Sequence, residues 1–325
     1  MAQLPNIVIL GDYERALRRF SKWEKLEQQA NLKIHHEPLR DEALYEAVKD
    51  ADAIAIVRDR SPFNEAMIAR LPKLKFLMFT GERNGTLEAS ALVSRNIPMA
   101  CTHGGPSKET TAELTWALIL GASKRLIEEN KLIASGGWRD ELSLLPMLSG
   151  QRLGVMGLGA IGSRVARVGN AFGMEVVTWS PRMTPERAAL ENAKSVSLDE
   201  LLSTSKVVTM HLVAGPGTKG IISADQLALM RPDSILVNTS RAALIDMPDL
   251  RKALIAGRPA QAAVDVFDVE PLPVDDPLRN TPNLLVTPHL GFIAEPIFEA
   301  FSNGITETLE AWLDQKPVPH PFKPQ

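Results

Sequence analysis

The chain has 325 residues, 45% hydrophobic and 23% charged, and 36 basic side chains against 39 acidic ones leave a net charge of -3. That length predicts two domains, while the balanced charge argues against nucleic acid or an anionic membrane surface as a partner. No apolar run reaches the roughly 18 residues that span a bilayer, and the one cysteine, Cys101, allows no intramolecular disulfide and suits a reducing, cytoplasmic setting.

The opening MAQLPNIVILGDYERALRRF reads as a first strand followed by a charged helix, not as a signal peptide. Apolar, β-branched runs then predict strands at Asn6–Leu10, Leu32–His36, Ala53–Val57, Leu74–Phe79 and Pro98–Cys101, with amphipathic helices between them. A longer helical segment from about Lys108 to Ala134 bridges to the next domain and ends at Gly136-Gly137. After a turn-rich stretch, Ser135–Gln151, six more strands follow: Arg152–Met156, Glu175–Trp179, Lys206–Leu212, Ser234–Asn238, Gln261–Val264 and Leu284–Val286. Such alternation predicts an α/β protein with two doubly wound parallel sheets. The helical pattern Glu295–Leu313 lies beyond the second sheet and is expected to pack back on the first domain, and the proline-rich tail KPVPHPFKPQ cannot continue that helix. The expected division is 1–101 plus 294–325 for one domain and 102–293 for the other.

Directly after the strand RLGVM stands GLGAIG, with Gly157, Gly159 and Gly162 in the G-x-G-x-x-G spacing and Ala160 and Ile161 inside it. The first glycine permits a tight turn, the second a close approach of backbone to a pyrophosphate, and the third close packing of helix on strand; the helix start supplies free N–H groups. About 20 residues further on, where an acid would bind the ribose of NAD, the chain reads VVTWSPR. Ser180 and Arg182 stand there instead. A hydroxyl and a guanidinium would accept the 2′-phosphate that a carboxylate would repel, so the stretch points to NADP, with NAD as the alternative. The competing reading is a permissive loop with Arg182 solvated.

Three stretches place polar groups just past strand ends: LVNTSRAALID with Arg241, AAVDVFDVEPLP with Asp265 and Glu270, and LLVTPHLGF with His289. In an open α/β sheet those ends converge on the ligand crevice. Taken alone, Arg241 with Glu270 could be a structural ion pair and His289 a strand cap. As an ordered set, N-T-S-R, D-V-F-D-V-E-P and T-P-H-L-G behind the glycine loop resemble the D-isomer-specific 2-hydroxyacid dehydrogenase family over nearly the whole chain. The resemblance implies a flavodoxin-like substrate domain and a Rossmann nucleotide domain. It implies that Arg241 binds the carboxylate and carbonyl oxygen of a 2-oxo acid, that His289 is the general acid/base, and that Glu270 orients its ring. It places Asp265, Thr239, Ser240 and Gly291 along the cofactor, and the backbone amides of Gly81 and Glu82 on the substrate carboxylate. It also implies a homodimer formed through the nucleotide domain.

Other polar residues read differently. His35 and His36 belong to a strand, His103 to a loop, and His320 to a mobile tail; His211 ends a strand, against cofactor or in packing; Glu109 and Glu113 read as structural. The chain departs from the family pattern at Ala242, where glycine is usual, at Phe292, where a small residue is common, and in FTGERNG, which replaces a loop with an Asp-Asn pair. The function expected is reduction of a 2-oxo acid to the D-2-hydroxy acid, or its reverse. A nucleotide-sensing regulatory protein of the corepressor type is the alternative, and a formate or phosphite dehydrogenase a third reading.

Overall fold

The computed structural model describes residues 3–139 and 144–324, so 140–143 of the turn-rich stretch lie outside the described residues. The chain forms two compact units, Met1–Ser107 with Ile293–Gln325, and Lys108–Phe292. Residues 102–107, expected with the second domain, stay with the first, because the Thr102 N–H donates to the Phe79 carbonyl (3.1 Å) and the Thr102 hydroxyl accepts the Gly81 N–H (3.0 Å).

The first unit holds β1 (Asn6–Leu10), β2 (Asn31–Ile34), β3 (Ala53–Ile56), β4 (Phe76–Phe79) and β5 (Met99–Cys101). All pairs are parallel, in the order β2-β1-β3-β4-β5. AIAI and FLMF are buried throughout, as strands covered on both faces must be, whereas the edge strand NLKI alternates and ends before His35. The helix Glu295–Leu313 packs here: Trp312 stacks on Phe76 with ring centroids 5.7 Å apart, and the Ser302 hydroxyl donates to the Leu17 carbonyl (2.6 Å). A Cβ at Gly304 would stand 2.7 Å from Thr102 Cγ2, so the lack of a side chain sets how near this helix comes.

The tail corrects one expectation. His320 is pinned: the Cys101 N–H donates to its carbonyl (3.0 Å), the Phe322 N–H donates to Met99 (2.9 Å), and the Phe322 ring meets Phe79 edge-on at 4.9 Å. An antiparallel bridge from Ala100 to Pro321 completes a cap on the open edge of β5, where unpaired backbone groups would otherwise be exposed.

The second unit holds β6 (Arg152–Met156), β7 (Glu175–Trp179), β8 (Lys194–Ser195), β9 (Val207–Met210), β10 (Ile235–Asn238), β11 (Gln261–Val264) and β12 (Leu284–Val286). The order is β12-β11-β10-β9-β6-β7-β8, a parallel doubly wound sheet with one strand more than expected. The extra strand is a polar two-residue edge piece with no apolar run to announce it. The bridging helix is two helices, Ser107–Ser123 and Leu126–Ala134, broken at Arg125, whose φ of 51° no helix continues.

Candidate active site

Strand register puts the functional stretches on one edge of the second sheet. Met156 pairs with Trp179 on one side and Met210 on the other; Met210 pairs with Asn238, Asn238 with Val264, and Val264 with Val286. The next residues, Gly157, Ser180, His211, Thr239, Asp265 and Thr287, therefore leave the sheet in one row. Strand order reverses between β6 and β9, which is where an open α/β sheet forms its ligand crevice.

The loop at the centre of that row has room for a dinucleotide. Gly157 has φ of 99°, and its N–H donates to the Trp179 carbonyl (2.9 Å). A Cβ at Gly162 would fall 2.0 Å from the Gly157 carbonyl oxygen, so helix and loop touch only because it is absent. Gly159, the N-cap of the helix Ala160–Ala171, has open space where its Cβ would be and no side chain to occupy the first-turn N–H groups. Ala160 and Ile161 open that helix. The arrangement fits a pyrophosphate.

At the end of β7, Ser180 is half-buried and Arg182 exposed, and the Arg182 side chain meets no acceptor among the described residues. Arg187 Nη1 donates to the Arg182 carbonyl (2.8 Å), which brings a second guanidinium beside it. His211, across from the loop, is neutral: burial lowers its pKa to about 3, and its Nε2 lies 3.0 Å from the Thr209 hydroxyl.

An imidazole and a carboxylate meet beyond the ends of β11 and β12, His289 with Glu270. The His289 Nδ1 lies 2.7 Å from Glu270 Oε2, and the other oxygen of Glu270 accepts the Phe267 N–H (2.9 Å). Burial alone would raise the Glu270 carboxyl, but the hydrogen bond and charge of His289, with help from Phe267 and Arg241, hold it below the usual range. With Nδ1 committed to the carboxylate, Nε2 is the nitrogen left for a reacting oxygen. His289 has φ of 54°, a left-handed conformation that costs about 1–2 kcal/mol outside glycine.

Asp265 holds that loop in place. It is 1% exposed, and its two oxygens accept the Thr287 hydroxyl (2.6 Å), the Leu290 N–H (2.7 Å) and the Gly291 N–H (2.9 Å). Burial raises its pKa, and these donors oppose the rise. These bonds form a clasp between β11 and the loop after β12. Thr111, on the helix Ser107–Ser123, adds a hydrogen bond to the Gly291 carbonyl (2.7 Å), and Thr115 on the same helix meets the Thr239 hydroxyl at 2.8 Å. Neither threonine carries a motif; both act from more than a hundred residues away.

Arg241 is exposed, with Nη1 donating to the Ser240 carbonyl (2.7 Å), and its charge acts on Glu270. The turn beneath it is locked, since Asn238 donates to the Arg241 carbonyl and accepts the Ser240 N–H, while the Ser240 hydroxyl donates to the Leu212 carbonyl. In the first unit, the Gly81 N–H is already taken by Thr102, so of the two amides expected to meet substrate only that of Glu82 has no acceptor among the described residues. Asn84 and Asp59 brace this loop, Asn84 donating to the Arg58 carbonyl and Asp59 accepting the Gly85 N–H.

Residues 116–291 match the NAD binding domain of the D-isomer specific 2-hydroxyacid dehydrogenases. A glyoxylate reductase of Aeropyrum pernix is 34% identical over 97% of this chain and 95% of its own. The chain belongs to the D-isomer-specific 2-hydroxyacid dehydrogenase family. Within it, a D-3-phosphoglycerate dehydrogenase of Methanocaldococcus jannaschii is 32% identical over 85% of this chain, which spans only 52% of that relative's length. The crystal structure of a phosphoglycerate oxidoreductase from Vibrio cholerae superposes with a TM-score of 0.86 at 32% identity, covering 95% of this chain and all of the other. The protein is thus a dehydrogenase of 2-hydroxy and 2-oxo acids with a nicotinamide-dinucleotide domain, and the regulatory reading gains no support.

Two departures from the family pattern find their place. Ala242 begins the 3-10 turn Ala242–Leu244 and is buried in the core, so its Cβ is accommodated where glycine is usual. Phe292 is buried with its ring edge-on to His289, centroids 5.6 Å apart. Among the described residues no helix is long and apolar enough to cross a membrane.

Proposed function

We propose that this dehydrogenase reduces a small 2-oxo acid to the D-2-hydroxy acid with NADPH in preference to NADH, His289 acting as general acid. The 2.7 Å Glu270–His289 pair, on the same sheet edge as the glycine loop and Arg241, carries the reading. A nicotinamide dinucleotide held at Gly157–Gly162 supplies the hydride. Arg241 binds the carboxylate and the carbonyl oxygen of the acid and polarises the C=O bond. As C2 gains the hydride, His289 passes the Nε2 proton to the forming alkoxide, and Glu270 stabilises the ring while it is charged. The Glu82 amide remains to hold a carboxylate, while Thr239, Ser240 and Gly291 line the cofactor side. Ser180 and Arg182 favour the 2′-phosphate of NADP.

The glyoxylate reductase that matches nearly end to end favours a compact acid. Self-association through the second unit is favoured by the exposed Leu126, Ile127, Ile133 and Trp138, and a cytoplasmic site by the lone cysteine. The test is absorbance of reduced nicotinamide with NADPH or NADH against glyoxylate, hydroxypyruvate and phenylpyruvate. Oxidation should be fastest with NADPH and a small acid; turnover by none of the acids, with nucleotide still bound, would defeat the proposal.

A further inference from the structure

A cavity of about 350 Å³ lies in the second unit, between the first turns of the helix Met247–Ile255 and the loop that carries Glu270. Its size falls at the lower end of the range for small-molecule sites, roughly 300–1,000 Å³. Met247, Phe267, Val269, Leu272 and Leu278 give it apolar walls, and Arg251 lines it from the helix.

Arg251 is unlike the other polar groups there. Its guanidinium has no hydrogen-bond or ion-pair partner among the described residues, and its Nε is buried from solvent. The neighbouring cation, Lys252, is neutralised by Asp249 at 2.9 Å. Asp268 and Asp276 also line the cavity; Asp276 accepts the Leu278 N–H (2.8 Å), and neither acid pairs with Arg251. A guanidinium half-withdrawn from water and unmatched by an acid favours a planar anion, which its terminal nitrogens can grip in a fork. The apolar walls ask for a ligand whose other end is hydrocarbon.

We propose that this cavity is a second small-molecule site, taking a monocarboxylate that bears a compact apolar group, with the carboxylate on Arg251 and the apolar part against Phe267, Val269 and Leu272. Occupancy reaches the chemistry through a short path: the Phe267 N–H donates to Glu270, and Glu270 holds His289. A ligand that shifts Phe267 therefore changes turnover without competing for the 2-oxo acid. This effect on rate rests on the Glu270–His289 reading; binding does not.

The probe is benzoate, with benzyl alcohol as the uncharged control, read by methyl NMR signals of Met247, Val269, Leu272 and Leu278 in the full-length protein. Benzoate should shift these signals to saturation, and Arg251→Met should weaken the effect about tenfold or more while leaving turnover without benzoate unchanged. Val269→Trp, which fills the cavity from an exposed position, should abolish it. Signals that stay fixed at tens of millimolar benzoate, that move equally in Arg251→Met, or that respond as well to benzyl alcohol overturn the site. Signals that shift while kcat at saturating 2-oxo acid stays constant overturn its coupling to the rate.

Discussion

Glu270 touches His289 with one carboxylate oxygen and the backbone N–H of Phe267 with the other, so the group that orients the imidazole is itself held at both ends. The carboxylate is positioned before any substrate arrives. Its negative charge faces the ring that must pass on a proton. In Glu270→Gln that charge is gone and one carboxylate oxygen becomes an NH₂ group. Turnover of the 2-oxo acid should fall about 10- to 100-fold, with dinucleotide affinity nearly unchanged. An undiminished rate would remove Glu270 from this role.

His289→Gln keeps a hydrogen-bonding side chain but cannot transfer a proton. Turnover should fall by roughly 10²-fold or more, with dinucleotide affinity nearly unchanged by fluorescence titration. An undiminished rate would place the proton donor elsewhere.

Asp265 distinguishes a clasp from a cofactor ligand. Asp265→Asn retains size but replaces one acceptor of the Leu290, Gly291 and Thr287 donors with an NH₂ group, loosening the loop that keeps His289 at its left-handed φ. The expected outcome is a fall in kcat of about tenfold or more with the Kd for NADPH changed less than about threefold. The reverse pattern, affinity lost and kcat kept, would show that Asp265 serves the cofactor first.

Cofactor choice is read from Arg182. Removing a guanidinium from a phosphate contact forfeits a charge-assisted hydrogen bond worth about 1.5–3 kcal/mol, so Arg182→Ala should weaken NADPH binding by roughly 10- to 100-fold and NADH binding hardly at all. Equal losses for both nucleotides would make the stretch a permissive loop.

His211 makes stability depend on pH in a known direction. Its folded-state pKa of about 3 lies below the roughly 6.5 of an unfolded histidine, so between those values the unfolded chain binds the extra proton. Stability is therefore lost as pH falls from 6.5 toward 3, by up to a few kcal/mol. Urea midpoints measured at pH 7, 6 and 5 should drop less steeply in His211→Asn than in the parent; parallel slopes would show that another group sets the acid sensitivity.

The fold class was legible because buried parallel strands are written as apolar runs: AIAI, FLMF and ILVN can be little else. Lys194–Ser195 was not, since a two-residue edge strand has no side chains to bury and is defined by pairing with Val177 and Thr178. The candidate site was legible where polar side chains stand just past strand ends, as with Arg241, Glu270 and His289. It was hidden where the arrangement rests on backbone geometry: Asp265 is visible in its motif, but that it gathers amides 25 and 26 residues further on is not. The Phe267 amide and Thr111 leave no trace either, because a backbone donor has no letter of its own and a helix threonine looks like any other.

The cap that residues 320–322 place on β5 has a consequence for how the molecule comes into being. The second unit is one uninterrupted run, whereas the first is made of two segments that flank it along the chain. The first unit, although begun earlier, must wait with a bare strand edge until the closing helix and tail are synthesised. The half that enters the world first is the last to be finished, and for that interval its sticky edge is in the keeping of whatever shields a nascent chain.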